Sequence, residues 1–228
     1  MKKRKKALPP PSRLARVHRN LVEQLSARVE PVRPPRPPGF LWGLWLAAGL
    51  AVMGSTLWMI KVQEGFPSGG PPVLFLLLAF TGSALAAWEA IASSLPGRRI
   101  SRAYHVFSLL VLAGLLLMPF LFFMPAGEVL HPWKDFTSGL GCFTGVSLVG
   151  LLPWLLIGWM VSRNAAFHPG RTGAWCGVSA FLLGTTTIQL HCPNWHAGHV
   201  IMVHLLPAAL MSLLGAWVGS YWFSLWKK

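Results

Sequence analysis

The residues best suited to chemistry are three cysteines, Cys142, Cys176 and Cys192, and four imidazoles clustered around the last of them, His191, His196, His199 and His204. Thiolates and imidazoles together suit a soft or borderline metal ion such as zinc or copper. Two thiols alone could form a disulfide in an oxidising compartment. A third reading is structural, because a histidine ring tolerates both phases and can sit at a membrane interface for that reason alone. The spacing H-C-x3-H-x2-H from His191 to His199 is no standard zinc signature, so all three readings stay open. Glu89 is the one acid deep inside an apolar run. A carboxylate there is a functional candidate, unless it pairs with an arginine or reaches the interface. No nucleophile elbow, Gly-rich phosphate loop, HExxH or paired intramembrane carboxylates occur, so no enzyme is expected.

These groups must be positioned by elements of a particular kind. Hydrophobic residues make up 54% of the 228 and charged residues only 11%, against about 25% charged in soluble domains. With six acids in the whole chain, a water-soluble surface could not be covered, and a disordered chain would be far less apolar. The expected class is an all-α polytopic membrane protein. Six apolar runs approach the roughly 20 residues that cross a bilayer: Phe40–Ile60, Pro72–Leu95, Tyr104–Met124, Gly139–Val161, Ala174–His191 and Val200–Leu225. The fifth is the shortest and most polar, carrying Thr185, Thr186, Thr187 and Gln189.

The formal charge of +14 suggests nucleic acid until its distribution is read. Residues 1–39 hold eleven of the twenty Lys and Arg. With that segment inside, eighteen basic residues fall on the inner side and only Lys61 and Lys134 on the outer. This asymmetry predicts six spans with both termini cytoplasmic, and no direct nucleic-acid binding. Residues 1–39 form a basic, Pro-rich cytoplasmic tail, 40–225 the six-helix membrane domain, and 226–228 a cytoplasmic C-terminus. No secretory signal fits the start, where a basic run meets prolines. In this topology Cys142 and Cys192 share the outer face and Cys176 lies near the inner one, as a small buried apolar residue. His131 joins the outer set.

Within the tail, Ser12 to Val29 predicts one short amphipathic helix with Leu14, Val17, Leu21, Leu25 and Val29 on one stripe. A lone helix of about 18 residues makes no core, so the stripe must bury against the lipid bilayer or in a partner's groove.

The tail sequence LVEQLSARVEPVRPPRPP, followed by a Leu- and Trp-rich first span, resembles the NrsF family of bacterial membrane anti-sigma factors. So do Pro96-Gly97 with Arg98-Arg99, Gly141-Cys142 opening the fourth span, and Leu190-His191-Cys192-Pro193 leading to His204. The likeness covers nearly the whole chain. It departs in residues 1–11, which extend the tail, in Val203, where the family more often has Trp, and in Glu89. The resemblance implies a multi-pass protein of the bacterial inner membrane. Its tail would hold an extracytoplasmic-function (ECF) sigma factor, and its membrane domain would release it on stress. The implied sensor residues are Cys142, Cys192, His191 and His204, and the implied partner-binding residues are the five of the tail stripe. No cofactor is assured; a metal ion at the outer face, held from Cys142, Cys192, His191, His196, His199 and His204, is one expectation. The rival function is a small-solute or metal-ion transporter, with Glu89 as an inner station, although most spans are apolar at their centres.

Overall fold

The computed structural model describes residues 36–62, 70–95, 97–98, 100–124, 131–164, 166 and 168–225. The expected tail helix, with Leu14, Val17, Leu21, Leu25 and Val29, lies outside the described residues, as do residues 226–228. Among the described residues every regular element is a helix: α1 (Pro38–Ile60), α2 (Pro71–Ser94), α3 (Arg102–Phe122), α4 (Pro132–Ser138), α5 (Leu140–Ser162), α6 (Pro169–Gln189) and α7 (Ala197–His199). A π-helical segment (Val200–Leu205) and α8 (Leu206–Leu225) continue directly from α7. Prolines open α1, α2, α4 and α6, where the missing N–H costs nothing and the fixed φ already suits a helix. Ser101 caps α3 by accepting a hydrogen bond from the Tyr104 backbone N–H at 3.2 Å.

Among the described residues five helices are long and apolar enough to cross a membrane: Pro38–Ile60, Pro71–Ser94, Arg102–Phe122, Leu140–Ser162 and Ala197–Tyr221. Their outward faces are apolar, with Trp58, Leu110, Leu121, Leu148, Leu213 and Trp217 more than half exposed. In water a surface of this kind would aggregate; against lipid tails it needs no partner.

The helix α6 falls outside that set because of where it sits. Sixteen of its 21 residues are buried, and it packs against α2, α5 and α8. An ideal Cβ at Gly173 would overlap the Gly215 carbonyl, and one at Gly177 the Met211 carbonyl. Backbone therefore meets backbone, as small residues permit between membrane helices. Its three consecutive threonines, which weaken its apolar signal, are satisfied internally. The Thr186 and Thr187 hydroxyls donate to the Leu182 and Leu183 carbonyls, each at 2.8 Å, and Thr185 donates to the carbonyl of His204. Such bonds are affordable on a helix that never faces lipid.

Glu89, on α2, is fully buried. Its Oε1 lies 3.1 Å from His105 Nδ1 and its Oε2 3.8 Å from Arg171, so α3 and α6 are tied to α2 at one end of the bundle. Cys176 is also buried, in an apolar cluster with Trp45, Ala90, Ile157 and Trp175. At the other end, Phe75, Phe123 and Trp195 form an edge-on trio with centroids 5.4 to 6.1 Å apart. The Ala197 N–H donates to the Phe123 carbonyl at 3.2 Å beside them. This packing fixes the loop between α6 and α7.

Candidate functional site

Four side chains from three parts of the chain meet at that second end. Cys142 sits in the first turn of α5, Cys192 in the loop after α6, His199 at the end of α7 and His204 in the π-helical segment. Their donor atoms all lie within 4.8 Å of one another. Cys142 Sγ is 3.7 Å from Cys192 Sγ, and Cys192 Sγ is 3.2 Å from His199 Nε2. The two rings lie 5.3 Å apart between centroids.

The local backbone explains the convergence. His204 follows His199 by five positions; on an α-helix at about 100° per residue their side chains would diverge by about 140°. The i→i+5 bonding of a π-helix widens the turn and brings both rings to one side. Pro207 lacks the N–H that an α-helix would direct to the Val203 carbonyl, and Thr185 takes up the His204 carbonyl from α6. On the facing side, Gly139 joins α4 to α5. An added Cβ there would overlap Val203 and stand 2.9 Å from the His199 ring. The Cys192 N–H donates to the Ile188 carbonyl at 3.0 Å, which holds the loop thiol under α6.

Three of the four residues are buried and Cys142 is half-buried. His204 is fully buried and His199 nearly so, at 0% and 3% exposure. Both ring nitrogens of His204, and Nδ1 of His199, have no hydrogen-bond partner. Buried polar atoms left in this condition ask for an ion or a water. The cysteines are free thiols. The neighbouring Cys142 sulfur, and burial after it, push the Cys192 thiol above its ordinary range.

The donor set fits a tetrahedral ion. Two sulfurs bound at about 2.3 Å to one zinc stand about 3.8 Å apart, close to the measured 3.7 Å. A disulfide requires about 2.05 Å and hence an inward movement of both sulfurs.

Of the residues singled out in the sequence, Cys142, Cys192, His199 and His204 come together. His191 does not: its Nδ1 lies 3.0 Å from the Lys61 carbonyl, at the end of α1. His196 turns to Asp135 of α4, Nδ1 to Oδ1 3.9 Å. His131 lies exposed just ahead of α4. Sequence reasoning did not anticipate Asp135, Gly139, α4 or the π-helical turn; the signal for the last was His-x4-His followed by Pro207.

These features define an all-helical membrane protein with a buried thiol–imidazole cluster at one end of its bundle. Residues 25–224 match the family NrsF, negative regulator of sigma F. The chain belongs to that family, whose description is of a negative regulator of a sigma factor. Comparison with curated proteins and with solved structures found no match.

Proposed function

We propose that this chain is a multi-pass anti-sigma factor of the bacterial inner membrane, holding an ECF sigma factor through its N-terminal segment. Release follows when the cluster of Cys142, Cys192, His199 and His204 takes up its signal. The reading rests on a sigma-regulator family match that runs through a chain with a largely buried four-donor cluster, three of whose imidazole nitrogens have no hydrogen-bond partner. The signal we favour is a thiophilic or borderline metal ion such as zinc, because the sulfur separation suits one tetrahedral ion. In this reading α6 is a sixth span, since 21 residues at about 1.5 Å each reach about 31 Å. The eighteen-to-two distribution of basic residues then supports both termini in the cytoplasm. The stripe of Leu14, Val17, Leu21, Leu25 and Val29 is the holding surface, and no catalytic step is assigned to the chain.

A transporter would need polar stations through the bundle. Between Glu89 and the cysteine cluster, the hydroxyls of Thr185, Thr186 and Thr187 instead bond to backbone carbonyls, which favours the regulator.

Two experiments test the reading. Reporter fusions after Arg99 and Arg171 should report cytoplasm, and fusions after Lys134 and Asn194 the outer side; reversal at either pair rejects the topology. Changing Leu21→Asp with Leu25→Asp should release a co-purifying sigma factor, because charges cannot enter an apolar groove without a large penalty. Neutralising Lys2 to Lys6 should alter chiefly the salt dependence. The opposite pattern replaces the groove with an electrostatic contact.

A further inference from the structure

At the Glu89 end of the bundle, a cavity of about 640 Å³ opens between the end of α2, the start of α3 and the start of α6. Its wall carries three guanidinium groups, Arg98, Arg102 and Arg171, and two imidazoles, His105 and His168. Among the described residues the carboxylate beside it is Glu89, which is turned to His105 and Arg171. Among the described residues no acid pairs with Arg98 or Arg102. The cavity therefore holds an excess of positive charge. The first turn of α6 contributes the N–H groups of Gly170 and Arg171 on the same side, Pro169 before them having none.

The second feature is an apolar wall. Arg98 stacks over the Trp88 ring at 5.6 Å, and a smaller cavity of about 170 Å³ beside it is lined by Trp88, Ala92, Ile100 and Tyr104 as well as Arg98. Trp88 also meets Trp42 edge-on at 6.1 Å and Tyr104 at 6.4 Å. Tryptophan and tyrosine gathered at the ends of membrane helices mark the level of lipid headgroups. Arg98 thus stands where a charged cavity meets an aromatic one. A ligand that fills both has an anionic phosphate head and an apolar body.

We infer that this cavity is a binding site for the phosphate of an anionic phospholipid headgroup in the adjoining leaflet. Guanidinium forks suit phosphate oxygens in a bidentate way, and basic pockets between membrane helices take such headgroups. The site is separate from the thiol–imidazole cluster. It rests on the chain lying in a bilayer but not on the sigma-factor reading.

The test uses full-length protein in a non-ionic detergent, titrated with phosphatidylglycerol or phosphatidylcholine and read by native mass spectrometry. The variant Arg98→Gln with Arg102→Gln leaves the Glu89 contacts intact. Arg163→Gln is the control, because Arg163 stacks on Trp159 at 4.0 Å and does not line the cavity. Wild type and the control should retain phosphatidylglycerol in preference to phosphatidylcholine. The double variant should retain about ten- to thirtyfold less. If excess inorganic phosphate strips the lipid and binds in its place, the phosphate site stands and its ligand is soluble. Equal retention by the double variant and wild type overturns the site. Unchanged lipid retention with loss of a co-purifying sigma factor also overturns it, and makes the cavity a protein-docking face.

Discussion

Replacing His204 with leucine separates what the ring does for the fold from what it does for a ligand. The side chain is fully buried, and neither nitrogen has a hydrogen-bond partner. Each buried polar atom left unsatisfied costs about 1–3 kcal/mol. A leucine of similar volume carries no such penalty and adds at most about 1.5 kcal/mol of repacking cost. The backbone is spared, since Thr185 bonds to the His204 carbonyl rather than to its ring. Metal-free His204→Leu should therefore be more stable than metal-free wild type, by at least about 0.5 kcal/mol. Zinc acts in the opposite direction. Wild type at a hundred times its dissociation constant gains about 2.7 kcal/mol, whereas the variant, short of one ligand, gains little. The assay is denaturant or thermal unfolding in detergent after chelation, with and without added zinc. A variant that is less stable without metal by about 2 kcal/mol or more would show that the ring is a packing element. An undiminished zinc shift would show that His204 is no ligand.

Three further outcomes follow from the packing and from the thiols. Gly177→Leu should disrupt the seam between α6 and α8, because a Cβ there already overlaps the Met211 carbonyl; overpacking of this kind costs about 1–3 kcal/mol or more, and unfolding in detergent would measure it. In metal-free protein Cys192 should alkylate more slowly at pH 8 than an unstructured thiol, since the Cys142 sulfur and burial raise its pKa. The sign follows from which form the fold prefers: a raised pKa favours the protonated thiol, so this contribution to stability is full below the unfolded thiol's pKa and fades as pH rises through the folded value. Zinc must displace the proton, so affinity should fall as pH is lowered; an affinity independent of pH between 6 and 8 would contradict thiolate ligation, and rapid alkylation at pH 8 would contradict the raised Cys192 pKa.

The membrane helices were legible because lipid-facing residues must be apolar throughout a span, and α1, α2, α3, α5 and α8 begin or end within a few residues of the apolar runs. α6 was harder to read for a physical reason. Its threonines bond to carbonyls inside the bundle, and a helix shielded from lipid has no need of an apolar surface. The cluster was legible in part. Helix direction alone brings Cys142 and Cys192 to one end, but the choice among five histidines depends on a loop and a turn. His191 and Cys192 are neighbours in sequence, yet the loop sends one ring to Lys61 and the other side chain to Cys142. His199 and His204 share a face only because the helix widens there into π geometry. Glu89 was visible as an anomaly, while its partners His105 and Arg171 lie 16 and 82 residues away and meet it only in the folded bundle.

The measurement closest to the central claim is the retention of an ECF sigma factor on the full-length chain, with and without zinc. Membranes holding both proteins would be solubilised, the chain captured, and the sigma factor quantified in the eluate. Wild type should retain it after chelation and release it on adding zinc. Cys142→Ser with Cys192→Ser, and His204→Leu, should retain it under both conditions. Cys176→Ala should behave as wild type, because that thiol is buried in the separate apolar cluster around Trp45 and Ile157. Failure of any sigma factor to co-purify would contradict the regulator assignment. Zinc-dependent release that persists in the double serine variant would contradict the cluster as the receiving site.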